Sequence, residues 1–148
     1  IRNPVRPVGG LRIEPGDGVF FAGRLGSPKG VDVLVEAIRR MQVAGRRTKV
    51  TIAGDAPDAN EVHRWLGRLP FPEDIALLGW VSADRVLAEM MSAAVFALPS
   101  RQEGSPLALL EAMDAGCACV VTPVGGVLDT VRDGLDALVV PVGDDAAL

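Results

Sequence analysis

Short apolar runs alternate with longer amphipathic stretches along most of the chain. The runs are rich in Val, Ile, Leu and Ala, which is typical of strands that are buried on both faces. We predict strands at residues 19–22, 50–53, 75–78, 95–98, 119–122 and 137–140. Between these runs the apolar positions recur at helical spacing. We predict helices at residues 30–43, 60–69, 82–91, 106–115 and 127–132.

The first helix has the clearest pattern. Its apolar residues share one face and its opposite face is charged. The predicted buried face contains Val31, Leu34, Val35, Ile38 and Met41. The third helix is expected to begin after Ser82, whose hydroxyl can cap the free amides of the first turn.

This alternation of strands and helices predicts the fold class. Helices between strands favour right-handed crossovers and a parallel sheet covered on both faces. We therefore predict a doubly wound α/β fold with about six strands. Ligands bind such sheets beyond the carboxyl ends of the strands, near the point where the strand order reverses. The residues that follow predicted strands, and are expected to converge there, are Arg24, Asp55, Gly79 and Glu103.

Composition and charge exclude some classes of function, and they leave the predicted fold class unchanged. The chain has 148 residues, 15 Lys and Arg against 19 Asp and Glu, and a formal net charge of −4. This length suits one domain with a substantial core. The negative balance predicts no broad cationic surface for nucleic acid, and it does not indicate membrane contact. Any phosphate contact is therefore expected to be local.

Residues 1–18 are rich in Pro and Gly and show no sustained period, so we predict a linker there and one domain over residues 19–148. Cys117 and Cys119 are expected to be buried free thiols, and His63 a surface helix residue. These are too few ligands for a metal site, so we expect none. The free thiols fit a reducing compartment, so we expect a cytoplasmic location.

Two glutamates frame the loop and helix after the fourth strand. Glu103 lies in the loop, and Glu111 lies about a turn and a half into the helix. Pro106 suits the first helical position because its missing N–H costs nothing there. The free amides of that helix terminus form an anion site, so both carboxylates can border one ligand. The four residues after Glu103, which end the loop and begin the helix, are Gly104, Ser105, Pro106 and Leu107.

Two cations follow the first strand. Arg24 and Lys29 lie in residues 23–30, which read Gly-Arg-Leu-Gly-Ser-Pro-Lys-Gly. They could be surface residues around a turn, or they could clamp a phosphate group.

Together, these two segments resemble the retaining glycosyltransferases of family 4. Glu103 and Glu111 match the E-x7-E signature of that family, and residues 23–30 resemble its G-R-x4-K-G segment. The resemblance extends from Val19 to Asp144. It implies the Rossmann-like, carboxyl-terminal half of a GT-B fold, which binds the sugar donor. The acceptor-binding amino-terminal domain would be a partner absent from this chain.

The resemblance also implies roles for individual residues. Arg24 and Lys29 would hold the diphosphate, Glu111 the ribose hydroxyls, and Glu103 the donor sugar. The candidate catalytic residues are thus Glu103, Arg24 and Lys29. The remaining substrate-binding candidates are Gly23, Gly79, Val81, Gly104, Ser105, Pro106 and Leu107. The segment that contains Gly79 and Val81 would meet the nucleobase, although it could equally be an edge loop with a half-buried Trp80.

The implied function is transfer of a sugar, such as a hexose, from a nucleoside-diphosphate sugar to an unidentified acceptor, with retention and without a metal. The isolated domain is expected to be inactive. Two alternatives stay open: a non-catalytic nucleotide-binding module, and an epimerase or sugar phosphorylase on the same scaffold. A glycosidase that uses Glu103 and Glu111 as its acid and nucleophile is disfavoured, because hydrolysis has no need for the basic pair. Any membrane association is expected to come from the missing domain.

Overall fold

Six parallel strands form a single twisted sheet in the computed structural model, which describes residues 16–148. The strands are β1 (Val19–Ala22), β2 (Val50–Ala53), β3 (Ile75–Gly79), β4 (Val95–Leu98), β5 (Ala118–Val121) and β6 (Leu138–Val139). Their order is β3-β2-β1-β4-β5-β6, and every neighbouring pair is parallel. The doubly wound α/β prediction is confirmed. Residues 1–15 of the predicted linker lie outside the described part of the chain.

In the described range 16–148, four α-helices cover the sheet: α1 (Val31–Val43), α2 (Ala59–Leu66), α3 (Ala83–Ser92) and α4 (Leu107–Asp114). Ser82 caps α3 as predicted, since its Oγ accepts a hydrogen bond from the Arg85 amide at 3.4 Å. None of the helices within residues 16–148 has the length and apolarity that a bilayer crossing requires.

The two faces of the sheet bury separate cores because successive strand residues point to opposite sides. Phe20 packs with residues of α3 and α4, whereas Phe21 packs with residues of α1 and α2. Both phenylalanines are fully buried. The side chain of Phe20 also contacts that of Phe96 on the neighbouring β4, with ring centroids 6.2 Å apart.

The structure corrects the predicted helices at three points, and the remaining helix bounds lie within one residue of the prediction. The predicted helix at residues 127–132 is instead a short 3-10 helix, Gly125–Val127, followed by turns. Val127 ends the 3-10 helix and Val131 follows the turn, and both are buried. Two buried residues outside an α-helix thus reproduce its four-residue spacing. Met41 lies on the α1 surface with 37% exposure rather than in the core. The second helix ends at Leu66, three residues earlier than predicted.

Candidate functional site

The order of the strands creates a crevice between β1 and β4. The chain leaves β1 toward β2 on one side, and it leaves β4 toward β5 on the other, so the connections diverge at this point. Arg24 follows β1, and Glu103 follows β4. The predicted convergence of these segments on one edge is therefore confirmed at the backbone level. Gly79 differs slightly from the prediction because it ends β3 rather than following it.

Lys29 and Glu103 form an ion pair across this crevice. Lys29 Nζ lies 2.7 Å from Glu103 Oε1, and the two residues are 74 positions apart in the sequence. The Glu103 side chain is only 6% exposed, and that of Lys29 is 31% exposed. A 3-10 turn at Ser27–Lys29 carries the lysine to this position. Sequence reasoning placed both residues near a ligand but did not anticipate that they contact each other.

Two buried hydroxyls support the same glutamate. Ser100 is fully buried, and its Oγ donates a 2.6 Å hydrogen bond to Glu103 Oε1. Thr122, also buried, donates from Oγ1 to the Ser100 carbonyl at 2.5 Å. Neither residue was predicted from the sequence to belong to a site. The available signal was that each hydroxyl lies just beyond the carboxyl end of a buried strand.

Two glycines let neighbouring backbones approach the Glu103 loop. Gly125 has φ of +54°, and a Cβ placed there would lie 1.9 Å from the Glu103 carbonyl oxygen. Gly30 has φ of +68°, and its Cβ would lie 1.9 Å from the Pro99 carbonyl oxygen. A side chain at either position would be strained and would collide with backbone. These glycines therefore fix how closely the two motifs pack.

An arginine beside Glu103 joins its loop to α1. Arg101 makes two 2.7 Å hydrogen bonds to the Asp32 carboxylate and a third to the Ser27 carbonyl. Burial tends to raise the pKa of Asp32, but the hydrogen bonds and positive charge of Arg101 outweigh burial and lower it. The pair holds the Lys29 segment and the Glu103 loop together.

A cavity of about 340 Å³ lies on the β2 side of the crevice. Arg24 lines it but has no ion pair with any residue in the range 16–148. Trp80 also lines it, and this side chain is 74% exposed rather than half-buried. The other lining residues are Ala22, Gly23, Ala53, Gly54, Asp55, Val81 and Val86.

A second cavity, of about 410 Å³, lies at the start of α4. Its walls include Gly104, Ser105, Leu107, Asp129 and Thr130.

Pro106 was predicted as the first helical residue, but it occupies the N-cap position with φ of −81° and ψ of 62°. The Leu107 amide already donates to the Ser105 carbonyl at 2.9 Å. This amide is therefore engaged within the loop, whereas we expected it to face a ligand. Glu111 is half-buried on α4, and it forms no ion pair with a residue in the described part of the chain.

The remaining chemically reactive residues lie away from this edge. Cys117 and Cys119 are buried thiols that form no disulfide, as predicted, and burial together with the nearby Cys117 raises the pKa of the Cys119 thiol to about 12. His63 is exposed on α2, also as predicted. Residues 16–148 contain no group of three His, Cys, Asp or Glu side chains that could hold a metal ion.

A doubly wound parallel sheet with charged residues at its switch point, where the strand order reverses, places the chain among the Rossmann-like α/β domains. The family model described as Glycosyl transferases group 1 matches residues 16–148. The chain therefore belongs to the group 1 glycosyl transferases.

The similar proteins agree with this assignment. Alpha-D-kanosaminyltransferase of Streptomyces kanamyceticus is 28% identical over 123 residues, which cover 83% of this chain and 32% of that protein. The chain spans about a third of the length of the curated relatives it matches.

Two solved structures of GT-B type contain the same Rossmann-like α/β fold as the chain. The galactosyltransferase WaaB of the lipopolysaccharide outer core matches with a TM-score of 0.71 and 27% identity, over 95% of this chain and 39% of WaaB. HepE of Anabaena, solved in complex with UDP, matches with a TM-score of 0.76 over 89% of this chain and 37% of HepE. The identity to HepE is 22%, so this second likeness concerns the fold alone.

Proposed function

We propose that the chain is the donor-binding half of a retaining glycosyltransferase that transfers a sugar from a nucleoside-diphosphate sugar. The observation that carries this proposal is the Lys29–Glu103 pair at the switch point, with Arg24 on the adjoining cavity. The same edge of the sheet thus carries cations suited to a diphosphate and a carboxylate suited to sugar hydroxyls.

The two cations suit the leaving group of such a reaction. Negative charge grows on the diphosphate as the bond to the sugar breaks, and fixed positive charges stabilise that transition state more than the ground state. Arg24 can bind two phosphate oxygens at once with its planar guanidinium, whereas Lys29 acts as a point charge. These charges take the place of a divalent metal in the proposal.

The carboxylates are assigned to hydroxyl groups. Glu103 binds the donor sugar and Glu111 the ribose, while the backbone at Gly79 and Val81 meets the base. The HepE structures hold UDP or UDP-glucose, which makes a uridine donor the first to test.

Retention is proposed to occur by a same-face displacement in which the departing phosphate takes the acceptor's proton. Glu103 is not assigned as a nucleophile. Its carboxylate is nearly buried, and one oxygen is already occupied by Lys29 and Ser100. That arrangement suits a fixed hydrogen-bond acceptor better than an attacking group.

A second, acceptor-binding domain completes the proposed enzyme, which we place in the cytoplasm. The 148-residue chain alone is expected to bind donor without transferring it. If it transferred sugar at an ordinary enzymatic rate by itself, the proposed division of labour between two domains would be wrong.

Calorimetric titration tests the proposal directly. The chain would be titrated with UDP, GDP, ADP and their glucose conjugates in the presence of a chelator. We expect saturable binding of at least one diphosphate, and losses of about a hundredfold in Arg24→Ala and Lys29→Ala, because each removes a charged phosphate contact. Glu111→Ala is expected to lose about tenfold through the ribose.

Lys49→Ala is the matched control. This lysine is 82% exposed and precedes β2, at the opposite edge of the sheet. Binding should be unchanged in this variant. Absence of binding to every nucleotide, or equal losses in Lys49→Ala and Lys29→Ala, would contradict a donor site at the switch point.

A further assay separates transfer from epimerisation. With acceptor and the second domain supplied, a transferase releases free nucleoside diphosphate, whereas an epimerase keeps the nucleotide attached to its sugar. Sustained turnover of the donor without such release would favour the epimerase.

A further inference from the structure

The Glu103 carboxylate uses its two oxygens differently. Oε1 accepts both local hydrogen bonds, from Lys29 Nζ at 2.7 Å and from Ser100 Oγ at 2.6 Å. Oε2 has no partner within residues 16–148. Every fully buried side-chain nitrogen or oxygen in that range does have a hydrogen-bond partner. Oε2 is therefore not fully buried, although the Glu103 side chain as a whole is only 6% exposed.

Ser100 is held more rigidly than Lys29, the other hydrogen-bond donor to Oε1. The residue is fully buried, two positions after β4, whereas Lys29 is a long side chain with 31% exposure. The Ser100 carbonyl accepts the Thr122 hydroxyl at 2.5 Å, which links it to the segment after β5. A short side chain on a backbone anchored in this way loses little entropy when it holds a partner.

We infer that Ser100 is a positioning residue that fixes Oε1 of Glu103, so that Oε2 is presented to a hydroxyl of the donor sugar. The inference rests on the proposed function, because it assumes that the crevice receives a nucleoside-diphosphate sugar. It adds a residue that makes no proposed contact with the ligand. It also predicts that the sugar part of the donor, rather than the diphosphate, senses the loss of this hydroxyl.

The charge at Lys29 has a different role in this arrangement. An ammonium group has three donors, so Lys29 can contact a phosphate oxygen while it keeps its bond to Oε1. Ser100 has a single donor, and Oε1 occupies it. Removal of Lys29 should therefore weaken the diphosphate and its sugar conjugate alike, whereas removal of the Ser100 hydroxyl should act on the conjugate only.

The test compares Ser100→Ala with the wild-type chain, using UDP, GDP, ADP and their glucose conjugates as probes. The measured quantity is the Kd of each conjugate divided by the Kd of its diphosphate. We expect diphosphate binding within about twofold of wild type, and a rise of about tenfold in this ratio, because the freed carboxylate no longer meets the sugar in one geometry. In Lys29→Ala both constants should rise together.

Two further variants keep the result interpretable. Ser92→Ala removes an exposed hydroxyl at the end of α3 and should leave the ratio unchanged. If Ser100→Ala does not fold, Ser100→Cys retains a similar volume with a weaker donor, and it should raise the ratio by a smaller factor.

Failure of this inference can be told apart from failure of the proposed function. If no diphosphate binds the wild-type chain, there is no donor site, and both the proposed function and the positioning role of Ser100 are refuted. If diphosphate binds but Ser100→Ala leaves the ratio unchanged, only the positioning role is refuted. A folded Ser100→Ala variant that loses diphosphate and conjugate equally would also refute it, since Ser100 would then support the whole crevice rather than Glu103.

Discussion

Two lysine–carboxylate pairs lie at opposite edges of the same sheet. At the amino edge, Lys49 and Asp17 approach to 3.0 Å, and their side chains are 82% and 75% exposed. At the carboxyl edge, Lys29 and Glu103 approach to 2.7 Å, and the exposures are 31% and 6%. The chemistry of the two pairs is nearly the same, but only the second is surrounded by packed protein.

The difference shows what makes an ion pair useful for binding. Water screens the Lys49–Asp17 pair, and such exposed pairs contribute little to stability. The Lys29–Glu103 pair is held by a buried serine and by a glycine that lets another loop approach. Its charges are thus oriented before any ligand arrives, which is the condition for electrostatic catalysis. The following variants test this contrast.

Gly125→Ala should have the largest effect. The new Cβ would lie 1.9 Å from the Glu103 carbonyl oxygen at a φ that disfavours side chains. We expect a loss of about 3 kcal/mol in the free energy of unfolding, from strain and overpacking together, and loss of donor binding. Urea denaturation measures the first effect and calorimetry the second.

Gly45→Ala is the control for this variant. Gly45 has a similar φ of +76°, but nothing lies within 4 Å of a Cβ placed there. The Gly45→Ala variant should lose about 1 kcal/mol in the free energy of unfolding, from backbone strain alone, and it should still bind donor. Equal losses in the two variants would show that the close approach to Glu103 is unimportant.

The second largest effect is expected for Lys29→Met. The methionine keeps the apolar stem but leaves the Glu103 carboxylate without its cation. We expect a cost of about 2 kcal/mol in unfolding free energy, against less than about 1 kcal/mol for Lys49→Met at the exposed pair. Denaturation in urea at low salt compares the two, and similar values would remove the distinction drawn between the edges.

The double variant Lys29→Met with Glu103→Leu sharpens that result. Replacing both partners removes the uncompensated carboxylate, so stability should recover in part. Donor binding should nevertheless stay lost. If binding also recovered, the pair would be a structural feature rather than part of the site.

Trp80→Phe should have a smaller effect, confined to a spectroscopic signal and modest affinity. Trp80 is 74% exposed and lines the cavity with Arg24, whereas the other tryptophan, Trp65, is 9% exposed on α2. We expect diphosphate to change the fluorescence of wild type and Trp65→Phe but not that of Trp80→Phe. The reverse pattern would place the nucleotide outside this cavity.

Arg101→Met should produce the smallest change, and that change should depend on pH. Arg101 lowers the pKa of Asp32 below its usual value of 3.8 in the folded chain. The pair therefore stabilises the fold above that value and ceases to do so as the pH falls through the lowered pKa. We expect Arg101→Met to lose less than about 1 kcal/mol in the free energy of unfolding at pH 7.

Urea denaturation from pH 7 down to the acid limit would check this prediction. The difference in stability between wild type and Arg101→Met should shrink as the pH falls below about 4. A difference that stayed constant with pH would mean that Arg101 acts through packing rather than through its charge.

The local sequence determined the elements of the fold well. Strands at residues 19–22, 50–53 and 95–98 were predicted with their observed bounds, because parallel strands buried on both faces form continuous apolar runs. The predicted helix at residues 127–132 failed because Val127 and Val131 are buried from a 3-10 helix and from an irregular segment. The spacing of apolar residues predicts which side chains are buried, but it does not predict the backbone conformation of the segment that carries them.

The sequence also determined which segments meet, since the carboxyl ends of parallel strands share one edge and motifs placed after them must converge. Only the tertiary structure decided how they meet. The direct contact of Lys29 with Glu103, the support from Ser100, and the packing of Gly125 on the Glu103 carbonyl join residues far apart in the chain. Such contacts depend on the distances between loops, and no local pattern encodes those distances because they are set by how the sheet and its helices pack.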